Sequence, residues 1–101
     1  MTSTTPEHPP GHGEYKIPGG KLVVVDLAVD NGLLAQVRLS GDFFLEPPEA
    51  LDCINAALEG LPAETDEAGI ARHVRQALDA NVEMFGISPE GIAVVVRRAL
   101  A

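Results

Sequence analysis

Asn31-Gly32 constrains the fold more than any other two residues in this chain. Set between strand-like runs, an Asn-Gly pair closes a two-residue β-hairpin, because both central positions of that turn need positive φ. The run before it, residues 21–29, reads Lys-Leu-Val-Val-Val-Asp-Leu-Ala-Val and is rich in β-branched residues that suit a pleated surface. Val23, Val25, Leu27 and Val29 share one face of that strand, and Leu22, Val24, Asp26 and Ala28 share the other. After the turn, Leu33, Ala35, Val37 and Leu39 alternate with Leu34, Gln36, Arg38 and Ser40. The pattern predicts a half-buried antiparallel hairpin. Residues 14–17 can add a third, edge strand, ended by Pro18 and two glycines.

Helical spacing replaces alternation after Pro47-Pro48, which fits a helix entrance because proline is tolerated in the first turn. Glu49 suits the positive end of that helix dipole. Leu51, Ile54, Leu58 and Leu61 form its apolar stripe, and Gly60 is its stop signal. Thr65 is the predicted N-cap of a second helix, with Asp66 and Glu67 in its first turn and Ile70, Val74, Ala77 and Leu78 as its stripe. Ser88-Pro89-Glu90 opens a third helix by the same logic. Ile92, Val95, Val96 and Ala99 then face inward, and Arg97 and Arg98 complement the dipole in the last turn. Strands followed by helices predict an α+β domain over residues 13–101: a small antiparallel sheet of two to three strands, covered on one face by about three helices. Residues 1–12 hold three prolines and four Ser or Thr without apolar periodicity, the composition of a disordered tail.

Composition narrows the function. The 101 residues suffice for one core and only a modest pocket. The 15 acids outnumber the 7 bases, for a net charge of −8. With the bases scattered, this argues against nucleic-acid binding and favours basic partners. Cys53 is the single cysteine, so no internal disulfide forms, and a reducing, cytoplasmic setting is expected. No apolar run approaches the roughly 18 residues of a membrane span.

Few residues suggest chemistry. Cys53 falls in mid-helix beside Asp52, where a semi-buried structural thiol is a better reading than a nucleophile. His73 reads as a solvated helix residue, and His8 and His12 as isolated imidazoles rather than a metal site. No Ser/His/Asp or Cys/His set is visible. Two segments remain. Lys16, Gly19, Gly20 and Lys21 bracket a loop whose successive N–H groups could nest an anion. The competing reading, favoured on local chemistry, is a tight turn whose lysines discourage edge pairing. Asp42-Phe43-Phe44 places two rings on neighbouring strand positions, so one can enter the core while the other covers a second surface. Alternatively, both rings pack under the first helix.

Taken together, Glu14-Tyr15-Lys16-Ile17-Pro18-Gly19-Gly20-Lys21-Leu22-Val23, the Asn31-Gly32 hairpin and Gly41-Asp42-Phe43-Phe44-Leu45-Glu46-Pro47 resemble the small C-terminal accessory domain of lipoate–protein ligases. In some bacteria and archaea that domain is a separate chain. The resemblance extends through Leu58-Glu59-Gly60 and Gly-Ile-Ser-Pro-Glu-Gly-Ile at 86–92 and covers most of residues 13–101. The family's catalytic domains are related to those of biotin–protein ligases.

The resemblance implies a fold of the type seen in iron–sulfur scaffold proteins. It also implies a non-catalytic subunit that supports formation of lipoyl-adenylate by a larger catalytic chain, before transfer to a lysine of a lipoyl acceptor domain. ATP, Mg2+ and lipoate then belong to the assembled ligase, and this chain alone binds no cofactor or metal. Lys16, Gly19, Gly20 and Lys21 would face ligand or partner, and Asp42, Phe43 and Phe44 would form the partner interface. Two other readings stay open. A protein-interaction module of iron–sulfur scaffold type is weakened by the lone Cys53, since a cluster normally needs several thiolates. A stand-alone transferase of lipoyl or biotinyl groups is weakened by the absence of a nucleotide-binding motif, and an accessory role in a biotin or octanoate ligase is the less favoured form of the subunit reading.

Overall fold

The computed structural model describes residues 11 to 101. Strand β1 spans Gly11–Lys16, β2 Leu22–Asp30 and β3 Leu33–Gly41. They form an antiparallel sheet in the order β1-β2-β3, with β2 central. The Asn31-Gly32 turn closes as the sequence predicts, with φ of 54° and 81°. The rest of the chain comprises β4 (Phe44–Glu46), α1 (Ala50–Leu58), α2 (Glu67–Ala77), β5 (Glu83–Phe85) and α3 (Pro89–Leu100). The fold is α+β, as expected. The β4–β5 pair forms a separate antiparallel ribbon that sequence reasoning did not foresee.

The alternation in β3 breaks at Gln36. Asp26 pairs with Arg38 but Ala28 pairs with Ala35, so Leu27 faces both Gln36 and Val37 across a bulge. Gln36 takes a φ of 53°, a left-handed conformation uncommon outside glycine. The extra residue shifts the side-chain phase by one position. Val37 and Leu39 are buried as expected, but Leu34 replaces Leu33 and Ala35 in the core, and Leu33 is 43% exposed. On β2, Val23, Val25 and Leu27 are buried, while Val29 near the turn is exposed.

Helices cover one face of the sheet, α3 over β1 and β2, and α1 over β3; α2 packs outside against both helices. The close approach of α3 depends on glycines in β1. A Cβ on Gly13 would lie 2.5 Å from the Val95 carbonyl oxygen and 2.8 Å from the Ala99 nitrogen. Strand β1 begins at Gly11, so the last two residues of the expected tail pair with Leu27 and Asp26; residues 1–10 lie outside the described residues. Strand β3 would be a bare edge, but α1 and its following loop close it. Leu39 N–H donates to Asn55 Oδ1 (3.1 Å), Val37 N–H to Glu59 Oε2 (3.3 Å) and Leu34 N–H to the Leu61 carbonyl (2.8 Å).

Caps set the helix starts. Asp66 rather than Thr65 caps α2, accepting from Gly69 N–H at 2.8 Å, because the Thr65 hydroxyl is turned back onto the Pro62 carbonyl at 2.7 Å. That start puts Ala71 in the core and leaves Ala77 exposed. Ser88 caps α3 as expected, accepting from Gly91 N–H at 3.0 Å. Ile92, Val95, Val96 and Ala99 point inward, and Gly60 follows α1 with a φ of 88°. Arg97 donates to the Ala63 and Thr65 carbonyls, tying α3 to the loop before α2.

Candidate functional site

Three segments far apart in sequence meet at one end of the molecule: residues 16–21, residues 41–46 and residues 83–86. Ile17-Pro18-Gly19-Gly20 forms a β-turn in which Gly20 N–H donates to the Ile17 carbonyl at 2.8 Å. Pro18 at the second position and Gly19 at the third, with φ 73°, give the turn its type II signature. Ile17 N–H donates to the Lys21 carbonyl at 3.1 Å, and Lys21 N–H to the Gly86 carbonyl at 2.9 Å. With Pro18 lacking an N–H, most of the loop's donors are therefore committed to backbone carbonyls. The Lys16 ammonium is committed too, donating to the carbonyls of Gly20 at 2.9 Å and Ile17 at 3.4 Å. The segment is a tight turn braced by Lys16, not a preformed anion nest.

Lys21 is different. Its backbone is tied to Gly86 and its stem lies against that residue, where a Cβ would collide with it. Its ammonium has no hydrogen bond or ion pair among the described residues, so it is the uncommitted cation of the loop. Gly41 lies so close to the Leu22 carbonyl that a side chain has no room, and it takes a φ of 145°. Asp42 N–H then donates to the same Leu22 carbonyl at 3.1 Å, which seats the Asp42-Phe43-Phe44 segment beside the loop.

The two rings of that segment part company. Phe43 packs partly against the core, whereas Phe44 is 57% exposed. Phe44 pairs in register with Phe85, and their rings stack with centroids 4.6 Å apart and planes inclined by 14°. Phe85 is itself 43% exposed. Leu45 and Met84 turn inward between them, with Leu45 buried. The outer face of the ribbon thus carries Phe44 and Phe85 at one end and Glu46 opposite Glu83 at the other. Beside it, a groove of about 230 Å³ runs along Phe43, Phe44, Leu45, Glu46, Pro48 and Leu51. Sequence reasoning missed Phe85. Its signal was faint: a two-residue apolar step, Met84-Phe85, before Gly86, whose φ of 80° ends the strand.

The other candidates separate from this end. Cys53 is exposed on α1, not semi-buried as expected, because the buried face of that helix is taken by Ala50, Ile54 and Leu58. His73 is exposed on α2. On the uncovered face of the sheet, His12 bridges two carboxylates: Nδ1 to Asp26 Oδ1 at 2.7 Å, and Nε2 to Glu14 Oε2 at 2.9 Å. These hydrogen bonds, that to Asp26 above all, raise its pKa above the ordinary 6.5. His8 lies outside the described residues. No cluster of three or more His, Cys, Asp or Glu among the described residues is arranged to hold a metal ion. Among the described residues, no helix is long and apolar enough to cross a membrane.

The sequence matches no family model and no curated protein. A solved structure does match the fold: a chain from the Thermoplasma acidophilum system described as a bi-partite lipoate protein ligase and its E2 lipoyl domain. The TM-score is 0.63 with 24% identity, over 87% of this chain and 92% of that one. The two chains are therefore of similar size and share the α+β fold nearly end to end.

Proposed function

We propose that this chain is the non-catalytic accessory subunit of a two-chain lipoate–protein ligase. A separate catalytic chain would bind ATP, Mg2+ and lipoate, form lipoyl-adenylate with release of pyrophosphate, and pass the lipoyl group to an acceptor lysine. The observation that carries this reading is the convergence of the two motifs behind the family resemblance. The Lys16–Lys21 loop and the Gly41–Pro47 segment close on one end of the molecule, and that end carries an exposed stacked aromatic pair and a lysine whose ammonium has no partner among the described residues. The fold shared with a similar-sized chain of a bi-partite ligase system supports it.

The chemistry of the chain fits an accessory role better than an active site. The committed N–H groups and the spent Lys16 ammonium leave little to cradle a triphosphate. Lys21 alone can lend positive charge to a neighbouring site, where activation brings an anionic nucleotide and a carboxylate together. Phe43 lies partly under the surface while Phe44 and Phe85 stand outside it, so docking would place the rings on the catalytic chain and Lys21 at the margin of the contact.

The test is complex formation with the catalytic chain of a lipoate ligase from the same organism that lacks its own C-terminal domain. Sedimentation of the two purified proteins should give a stoichiometric heterodimer. Two independently sedimenting species at tens of micromolar would rule the reading out.

A further inference from the structure

We infer that the outer face of the β4–β5 ribbon is the docking surface itself, and that it accepts a basic segment of the partner protein, with an apolar side chain on the Phe44–Phe85 stack and a Lys or Arg between Glu46 and Glu83. The inference rests on the accessory-subunit reading and specifies the chemistry of the partner's contact.

The distribution of apolar side chains points to this face. Every buried hydrophobic residue among the described residues is aliphatic. The three phenylalanines gather instead at this end, and two of them are among the most exposed large apolar side chains. Aromatic residues dominate binding hot spots because a rigid ring buries much area with little loss of conformational freedom. Stacking Phe44 on Phe85 holds both rings in place before any partner arrives, and the 230 Å³ groove beside Phe44 has room for one large side chain.

The charge pattern selects the partner. Glu46 and Glu83 sit directly opposite each other in the ladder, both exposed, and neither has an ion-pair partner among the described residues. Like charges at facing positions destabilise a strand pair, so this one is a cost within the isolated chain. A cation arriving from outside removes that repulsion. Lys21, at the opposite end beside Phe85, gives the surface a direction: positive, aromatic, then acidic. The chain's net charge of −8 adds long-range attraction for a basic surface. A second copy of this chain, itself acidic, fits poorly.

Glu83→Lys gives the sharpest test, because binding and stability should move in opposite directions. Facing Glu46, the new side chain replaces repulsion with attraction, so thermal stability should hold or rise. Affinity for the catalytic chain should fall at least about tenfold, as should that of Phe85→Ala. Affinity of the unaltered chain should weaken as salt is raised. Binding of either variant within twofold of the unaltered protein would overturn the inference while leaving the accessory role intact; failure of the unaltered chain to bind would overturn the accessory role first. Self-association of the unaltered chain that Phe85→Ala abolishes would show that the face serves a second copy, and would overturn the inference as well.

Discussion

The helix-covered side of the three-stranded sheet and the β4–β5 ribbon obey opposite rules. The first has a fully buried core that is aliphatic, with no buried polar side chain among the described residues, and closes its β3 edge with backbone N–H groups that donate to the Asn55 and Glu59 side chains. The second exposes its largest rings and sets two carboxylates against each other. One region is finished by contacts within the chain, whereas the other has side chains that only an outside surface would satisfy. Stability and the proposed docking therefore draw on different residues, and substitutions should separate them.

The largest loss should come from the covered side. Ile54→Ala removes a fully buried side chain and should cost about 2–5 kcal/mol, seen as a fall in urea midpoint at unchanged slope. Gly13→Ala should follow at about 1–3 kcal/mol, because α3 must retreat from a Cβ that would overlap the Val95 carbonyl. Asp66→Ala removes the α2 cap and should cost about 1 kcal/mol. Phe85→Ala should cost less than about 1 kcal/mol, since 43% of the residue stays exposed to solvent and its ring lies outside the core. A loss from Phe85→Ala as large as that from Ile54→Ala would erase the contrast and make the ribbon part of the core.

The smallest effect should be pH-dependent. His12 gains Asp26 and Glu14 as partners on folding, and its pKa rises above 6.5. A raised pKa means that its contribution is complete below 6.5 and is lost as pH climbs through the folded-state value. His12→Ala should therefore destabilise the protein in mildly acidic solution and match it in alkaline solution. A stability gap that widens with rising pH would contradict the bridging geometry.

The same contrast explains what the sequence could reveal. The hairpin was legible because Asn31-Gly32 states its turn type directly, and α3 because Ser88-Pro89 states its cap. The bulge at Gln36 was not, since Leu33-Leu34 offers an apolar residue to either phase and only packing under α1 chooses Leu34. Helix α2 starts one residue late because Thr65 and Asp66 are both capping residues, and the Thr65 hydroxyl is drawn to Pro62. At the candidate site, the turn was legible from Pro18 and the two glycines, and the split between Phe43 and Phe44 was one of two arrangements that the sequence left open. The contribution of Phe85 did not, because a three-residue strand has no period to detect and its pairing with Phe44 spans some forty residues of chain.

As an accessory subunit, this chain would complete a catalytic chain that cannot form the adenylate alone. Lipoate-dependent exchange of labelled pyrophosphate into ATP measures that step. The catalytic chain by itself should be nearly inactive, this chain by itself inactive, and the two together active in proportion to the limiting subunit. Full exchange by the catalytic chain alone, unchanged when this chain is added, would contradict the claim.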